Sequence, residues 1–209
     1  MTAVLQPSLL DDCDTTRLGD LSGCLQRTAL SHSAWVDLSR GWVQGADALF
    51  ERLATTVRWH GERRQMYDRE VDVPRLLSFY GEDDALPDSA LVQARDALSG
   101  HYRDELGEPF RTAGLCYYRD GRDSVAWHGD RIGRGSRADT MVAIVSLGAP
   151  RALLLRPRGG GSSLRFCIGH GDLLVMGGSC QRTWDHAVPK TARPVGPRIS
   201  VQFRPRGVR

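Results

Sequence analysis

The sequence predicts an α+β chain in which two helices precede a β-roll of the jelly-roll or small-barrel type. Three observations predict it. A length of 209 residues suits one domain, and 41% hydrophobic with 25% charged residues supplies a sizeable core and excludes wholesale disorder. Two segments in the first half carry helical spacing of apolar residues. From about residue 111 the pattern changes to short strand-like runs with turn signals at intervals of roughly eight to twelve residues, as in all-β sandwiches and barrels.

Residues 1 to about 30 mix apolar and acidic residues without clear period and read as an arm over the body. After Gly45, the segment Ala46–Val57 reads as a helix with Leu49, Phe50, Leu53 and Val57 on one face. Residues 58–82 interleave aromatics with arginines and read as irregular strands and loops. A second helix follows Asp88, an N-cap after Pro87, with Leu91, Ala94, Leu98, Tyr102 and Leu106 at helical spacing. The strand-like runs are RTAGLCYY, DSVAWH, DTMVAIVSLG, RALLLRP, LRFCIG, DLLVMGG, TWDHAV and RISVQFR, separated by turn material such as GAP, RGGGSS and RPVGP. The two helices would cover one face of the resulting sheet.

No apolar run approaches the ~20 residues of a membrane span, so no membrane partner is expected. The N-terminus lacks the basic start of a secretory signal. A net charge of +3 permits an anionic partner without demanding one. Of the 28 basic residues 27 are arginine, which a GC-rich genome explains and which also suits phosphate binding. Five cysteines, an odd number with no C-x-x-C pair, indicate neither a zinc knuckle nor a disulfide framework. They fit a reducing, cytoplasmic compartment. No dimerisation feature is visible, and a monomer is the expectation.

Three features carry chemistry. His128-Gly129-Asp130 ends a strand-like run, and residues i and i+2 of a strand point the same way, so both can reach one ion. With His186 from a distant strand they would form the two-His, one-carboxylate triad of non-haem Fe(II) oxygenases. Alone, H-x-D is a common pair. The final run alternates strictly, with Ile199, Val201 and Phe203 on one face and Arg198, Ser200, Gln202 and Arg204 on the other. If both faces are covered, the two arginines lie inside the roll or at its mouth and call for an anion such as a dicarboxylate, since unpaired buried charge is costly. Tyr117-Tyr118 is either core packing or a hydroxyl beside the metal. Trp127 and Trp184 flank metal candidates and read as packing.

Taken together, Tyr118, His128-x-Asp130, His186 and Arg198/Arg204 resemble the AlkB family of Fe(II)/2-oxoglutarate dioxygenases, which dealkylate nucleic-acid bases. The resemblance runs from about Val73 to Arg206. It includes Pro74-Arg75, Tyr80-Gly81, YRDGRDSVAWHGD, Ser146-Leu147-Gly148, HGDLLVM, WDHAVPK and PRISVQFR. It implies a double-stranded β-helix (jelly roll) with N-terminal helices packed on one face and a nucleotide-recognition lid. The segments would be 1–30 arm, 31–110 helical support and lid, and 111–209 catalytic core, in one folded unit. His128, Asp130 and His186 would bind Fe(II), and Arg198, Arg204, Tyr118, Ser200 and Gln202 would hold 2-oxoglutarate. With O2, oxidative decarboxylation of the co-substrate would drive hydroxylation of an N-linked alkyl carbon, whose collapse releases an aldehyde. Trp59, Met66, Tyr67, Phe79 and Tyr80 fall in the lid. Arg63, Arg64, Arg75, Arg131, Arg134 and Arg137 would meet phosphates. The contacts expected to matter most to substrate are Tyr80, Phe79, Arg75, Trp59, Arg131 and Arg134.

Four positions depart from the family pattern. Cys116 stands where Asn is common, Ser200 and Gln202 stand where Asn and Thr are common, and Ile132 occupies a position commonly acidic. The leading reading is direct-reversal repair of N-alkylated bases in DNA or RNA. An oxygenase acting on a protein or small molecule, and a catalytically silent domain that binds damaged nucleic acid, are the alternatives.

Overall fold

The structure, a computed structural model, describes residues 16–66, 69–130 and 134–208, without the side chains of 62–72 and 134. Strands β1 (Arg17–Leu18), β2 (Gln26–Ala29), β3 (Ala34–Ser39) and β4 (Val43–Gln44) lead into helix α1 (Ala46–Thr56). The hairpin of β5 (His60–Met66) and β6 (Arg69–Tyr80) precedes α2 (Ser89–His101) and the single turn α3 (Arg103–Leu106). The remainder is β7 (Thr112–Tyr118), β8 (Val125–His128), β9 (Val142–Gly148), β10 (Arg151–Pro157), β11 (Leu164–Ile168) and β12 (Asp172–Gly178). The single turn α4 (Cys180–Thr183), β13 (Trp184–Val188) and β14 (Arg198–Arg204) complete it. Each strand-like run read from the sequence after residue 111 is therefore a strand.

Two antiparallel sheets build the roll. The large sheet has the order β2-β3-β12-β9-β14-β7-β6-β5, and the small one β11-β10-β13-β8. Strand parity separates two cores. On the outer face of the large sheet, Leu49, Phe50 and Leu53 of α1 and Leu91, Ala94 and Leu98 of α2 pack with Leu115, Val145, Leu173, Val201 and Phe203. Between the sheets, Tyr118, Val142, Ile144, Leu153, Leu155, Leu174 and Val188 form the second core. The jelly-roll α+β architecture with helices over one face is thus the observed one.

Local chemistry sets the helix ends. Asp88 caps α2, its carboxylate accepting from the Ala90 N–H at 2.8 Å. The expected helical spacing holds through Leu106, but α2 stops at His101 and a separate turn carries Leu106 inward. The first thirty residues depart from a simple arm. The described part supplies β1, which pairs with β4, and β2, the edge of the large sheet. β3 lies further inside, between β2 and β12. The segment read as irregular, 58–82, is the long β5–β6 hairpin, whose second strand pairs with β7. No helix among the described residues is long and apolar enough to cross a membrane.

Candidate active site

The small sheet brings the two candidate histidines together. His186 of β13 lies opposite His128 of β8, with ring centroids 4.2 Å apart. The register shifts between His186 and Val188, a bulge of the kind that re-aims side chains near functional sites. Asp130, two residues beyond β8's last residue, turns back toward both rings, and the ligand atoms of the three residues lie within 4.8 Å of one another. Gly135 packs closely on Asp130, where a Cβ would collide with the Asp130 carbonyl oxygen.

Hydrogen bonds fix which atoms face inward. His128 Nδ1 is 2.9 Å from the Ala126 carbonyl oxygen. A carbonyl only accepts, so Nδ1 carries the proton and Nε2 keeps its lone pair, 3.9 Å from Asp130 Oδ1. Arg204 Nε donates to the other carboxylate oxygen, Oδ2, at 2.6 Å. The Asp130 N–H donates to Gln181 Oε1 at 3.3 Å. Burial alone would raise the Asp130 carboxyl, but the Arg204 guanidinium, through its charge and its hydrogen bond, holds it below its usual value, ionised. Burial pushes His186 down to about 3 against the pull of Asp130, so its ring is neutral. His128 is half-buried, whereas Asp130 and His186 are buried.

A cavity of about 80 Å³ opens beside this cluster, lined by Arg198, Tyr118, Ser200, Gln202, Arg204, Arg75 and the apolar side chains Val142, Ile144, Leu153 and Val188. Arg198 is 2% exposed. Its Nε donates to Ser146 Oγ at 2.9 Å, while Nη1 is buried without a partner. Tyr118 lies directly opposite Arg198 on β7, with the guanidinium carbon 5.2 Å from its ring centre. Burial pushes the phenol up, so it stays a hydroxyl at neutral pH. Gln202 Nε2 donates to Ser200 Oγ at 2.8 Å, and Cys116 Sγ lies 3.7 Å from Gln202 Oε1. Gly114 makes room for this layer: a Cβ there would meet Arg204 Nη1 at 3.1 Å and Gln202 Oε1 at 3.3 Å.

The structure thus brings together the proposed metal and co-substrate residues, but it divides the substrate candidates. Phe79 shares the inward face with Gly114, its partner across the strands, and is 54% exposed. Arg75 lines the cavity. Tyr80 and Trp59 lie on the opposite face of the large sheet, against the helix-side core, with Trp59 5.2 Å from Tyr117. Arg131 and Ile132 fall outside the described residues, as does Tyr67, and the side chains of Arg134, Arg63, Arg64 and Met66 are not among those described. The sequence reading missed two supporting residues, Gln181 and Arg151, and gave no role to Ser146, which it names only within the matching Ser146-Leu147-Gly148. Arg151 is buried and donates to the carbonyls of Asp120, Asp123 and Pro189, tying the loop before β8 to the end of β13. Ser146 had a signal, a lone hydroxyl at inward parity within the apolar run VAIVSLG.

The donor set fits the groups that the family resemblance implies. Two imidazoles with free lone pairs and one carboxylate suit divalent iron, which three such ligands would hold with positions left for co-substrate and O2. The orphaned, buried Nη1 of Arg198 calls for an acceptor, and a carboxylate supplies one.

The comparisons with known proteins agree. The model of the 2OG-Fe(II) oxygenase superfamily matches residues 56–204. Alpha-ketoglutarate-dependent dioxygenase alkB homolog 3 of Bos taurus is 30% identical over 178 residues, covering 78% of this chain and 62% of that protein. DNA oxidative demethylase ALKBH2 of Homo sapiens is 26% identical over 178 residues, covering 76% of this chain and 68% of its own. The chain therefore spans less than two thirds of the length of the alkB homolog 3 relatives. Among solved structures, a 2OG-Fe(II) oxygenase family oxidoreductase from Burkholderia pseudomallei shares the fold. Its TM-score is 0.58 at 11% identity, over 83% of this chain and 86% of that one. OsALKBH1 shares it too, with a TM-score of 0.54 at 16% identity, over 81% of this chain and 97% of that one. With the match spanning the large-sheet hairpin, the histidine pair and the arginine-bearing last strand, the chain belongs to the 2OG-Fe(II) oxygenase superfamily, and its bovine and human relatives are AlkB homologues.

Proposed function

We propose that this chain uses Fe(II), 2-oxoglutarate and O2 to remove alkyl groups oxidatively from N-alkylated bases in DNA or RNA. The observation that carries the reading is the His128–Asp130–His186 cluster set beside a buried arginine whose Nη1 lacks a partner. Iron and co-substrate, when bound, supply the oxidising power that hydroxylates the N-linked alkyl carbon, and the hydroxylated group leaves as an aldehyde.

The chain's own residues do the rest. Arg204 holds one oxygen of Asp130, which leaves the other for the metal. The Ala126 carbonyl keeps the His128 proton on Nδ1 and so keeps Nε2 available. Arg198, itself braced by Ser146, meets the far carboxylate of 2-oxoglutarate, and the Tyr118 hydroxyl borders the same space. Val142, Ile144, Leu153 and Val188 keep water from the cavity walls, which strengthens each charged contact there. Phe79, exposed on the inward face of the large sheet, offers a stacking surface for a base taken out of its strand.

The reading is tested by mass spectrometry. Short single-stranded oligonucleotides bearing N1-methyladenine or N3-methylcytosine are incubated with protein, Fe(II), 2-oxoglutarate and ascorbate, and succinate is followed in the same tubes. Loss of one CH2 per lesion, matched by succinate and abolished without iron or co-substrate, is the expected result. Succinate without that loss moves the substrate to another class. Neither signal from folded, metal-loaded protein overturns the reading in favour of a silent binding domain.

A further inference from the structure

The cavity beside the metal cluster holds more unneutralised positive charge than one arginine provides. Across the inward face of the large sheet, β6, β7 and β14 set Arg75, Tyr118 and Arg198 side by side: Arg198 pairs with Tyr118, and Arg75 immediately precedes the partner of Tyr117. Arg75 and Arg198 both line the cavity. Each has one buried nitrogen without a partner, Nε of Arg75 and Nη1 of Arg198. Among the described residues lining the cavity these are the only buried side-chain nitrogens or oxygens in that condition.

Their neighbours do not compete for the same ligand. Arg151, whose guanidinium carbon lies 5.6 Å from the Tyr118 ring centre, donates to three backbone carbonyls. Gln202 Nε2 donates to the Ser200 carbonyl and hydroxyl, and the weak donor Cys116 is set against Gln202 Oε1. Arg204 Nε is committed to Asp130. Two guanidiniums on strands either side of Tyr118 are left to meet an anion. Half-buried Arg75 gives Nη1 to the Ser124 carbonyl at 3.2 Å, and buried Arg198 gives Nε to Ser146. Among the described residues neither meets a carboxylate, and each keeps one buried nitrogen for an anion, whose carboxylate has lone pairs enough for two donors.

We propose that Arg75 joins Arg198 in anchoring the distal carboxylate of the 2-oxo dicarboxylate, so that the co-substrate is held by two guanidiniums. This rests on the co-substrate reading above and moves Arg75 from nucleic-acid contact to co-substrate contact. Position favours the move: a phosphate and a carboxylate are both anions, but Arg75 lines the cavity beside Tyr118 and Arg198.

The test is calorimetric titration of the protein loaded with Mn(II) as a redox-silent metal. Two ligands are compared: 2-oxoglutarate, and 2-oxobutanoate, which lacks the distal carboxylate. Arg75→Gln is expected to weaken 2-oxoglutarate by about 10- to 100-fold. It should leave 2-oxobutanoate and a methylated oligonucleotide unchanged. Arg75→Lys, which keeps the charge but loses the fork, should fall between, and it carries the same comparison if Arg75→Gln fails to fold. Unchanged 2-oxoglutarate binding overturns the assignment. So does equal weakening of both oxo acids, the mark of a merely structural role, or a loss confined to the oligonucleotide. A wild-type protein that binds neither oxo acid removes the dioxygenase reading along with this one, whereas normal wild-type binding that Arg75→Gln leaves intact removes this one alone.

Discussion

Strand β14 buries its two faces in different ways. Toward the helices, Ile199, Val201 and Phe203 are wholly buried among Leu, Val and Phe side chains of α1, α2 and neighbouring strands. Toward the small sheet, Arg198 and Ser200 are as deeply buried, but Arg198 keeps an unpartnered nitrogen and the adjoining cavity stays open. The backbone hydrogen bonds to β7 and β9 are shared by both faces. Burial on the helix face lowers the free energy of the fold through packing. Burial on the roll face stores an unmet electrostatic demand that only a ligand satisfies. The two faces should therefore answer to different measurements.

The largest effect expected is on the roll face. Asp130→Ala removes one of three candidate ligands and leaves Arg204 Nε without its carboxylate. Turnover should fall to background and Mn(II) affinity by more than about 100-fold. Full activity in this variant breaks the comparison, because the roll face would then hold no metal. Next comes the helix face. Phe203→Ala should cost about 3–5 kcal/mol in urea unfolding. Metal affinity per folded molecule should stay at the wild-type value, and a parallel loss there would show that the faces are not separable.

Arg198→Met sharpens the contrast. A similar length without the charge should leave stability unchanged or raise it by about 1–4 kcal/mol, as replacement of buried ions by apolar side chains often does. Affinity for 2-oxoglutarate, read by the same calorimetry, should fall steeply. Clear destabilisation would mean that the guanidinium is paid for within the fold, through Ser146 or Tyr118, rather than by a ligand.

The same contrast explains what could be read from the sequence. The last strand was legible because its alternation is strict and its polar face is charged, which leaves few places for it to lie. The strands from β7 to β14 were legible from the glycine and proline turns that bound them. β3 was not. It reads AWVDLS, with a charged residue in its centre and burial on both faces, so neither period shows. Asp37 is tolerated there only because Arg27, at 2.7 Å, and the Tyr102 hydroxyl, at 2.9 Å, reach it from distant segments. Tyr80 and Trp59 were assigned to substrate by resemblance, whereas strand parity sets them with the helix-side core. Parity follows from the Leu76–Tyr117 register, which no local pattern in 58–82 reveals.

The smallest expected effect concerns pH, and it too separates the faces. The loop before β8 supplies the carbonyls that hold Arg75 and Arg151, so its order bears on the roll face. Asp123 closes that loop, accepting from the Arg119 N–H, Nε and Nη2 at 2.8, 2.8 and 2.9 Å. Burial would raise its carboxyl, but the Arg119 bonds outweigh burial and hold it below 3.8. A folded-state value below the unfolded one means that the unfolded chain binds more protons in acid. The stabilisation is therefore complete above about pH 4 and is lost as pH falls through the folded value. Arg119 is half exposed, so the gap between wild type and Asp123→Asn should be only ~1 kcal/mol at neutral pH. Urea midpoints measured across the acid range should show that gap closing, while the gap for Phe203→Ala, which involves no titrating group, stays constant. A constant gap for Asp123→Asn would instead make the loop contact one of shape, leaving charge to act on the roll face only through the metal cluster and Arg198.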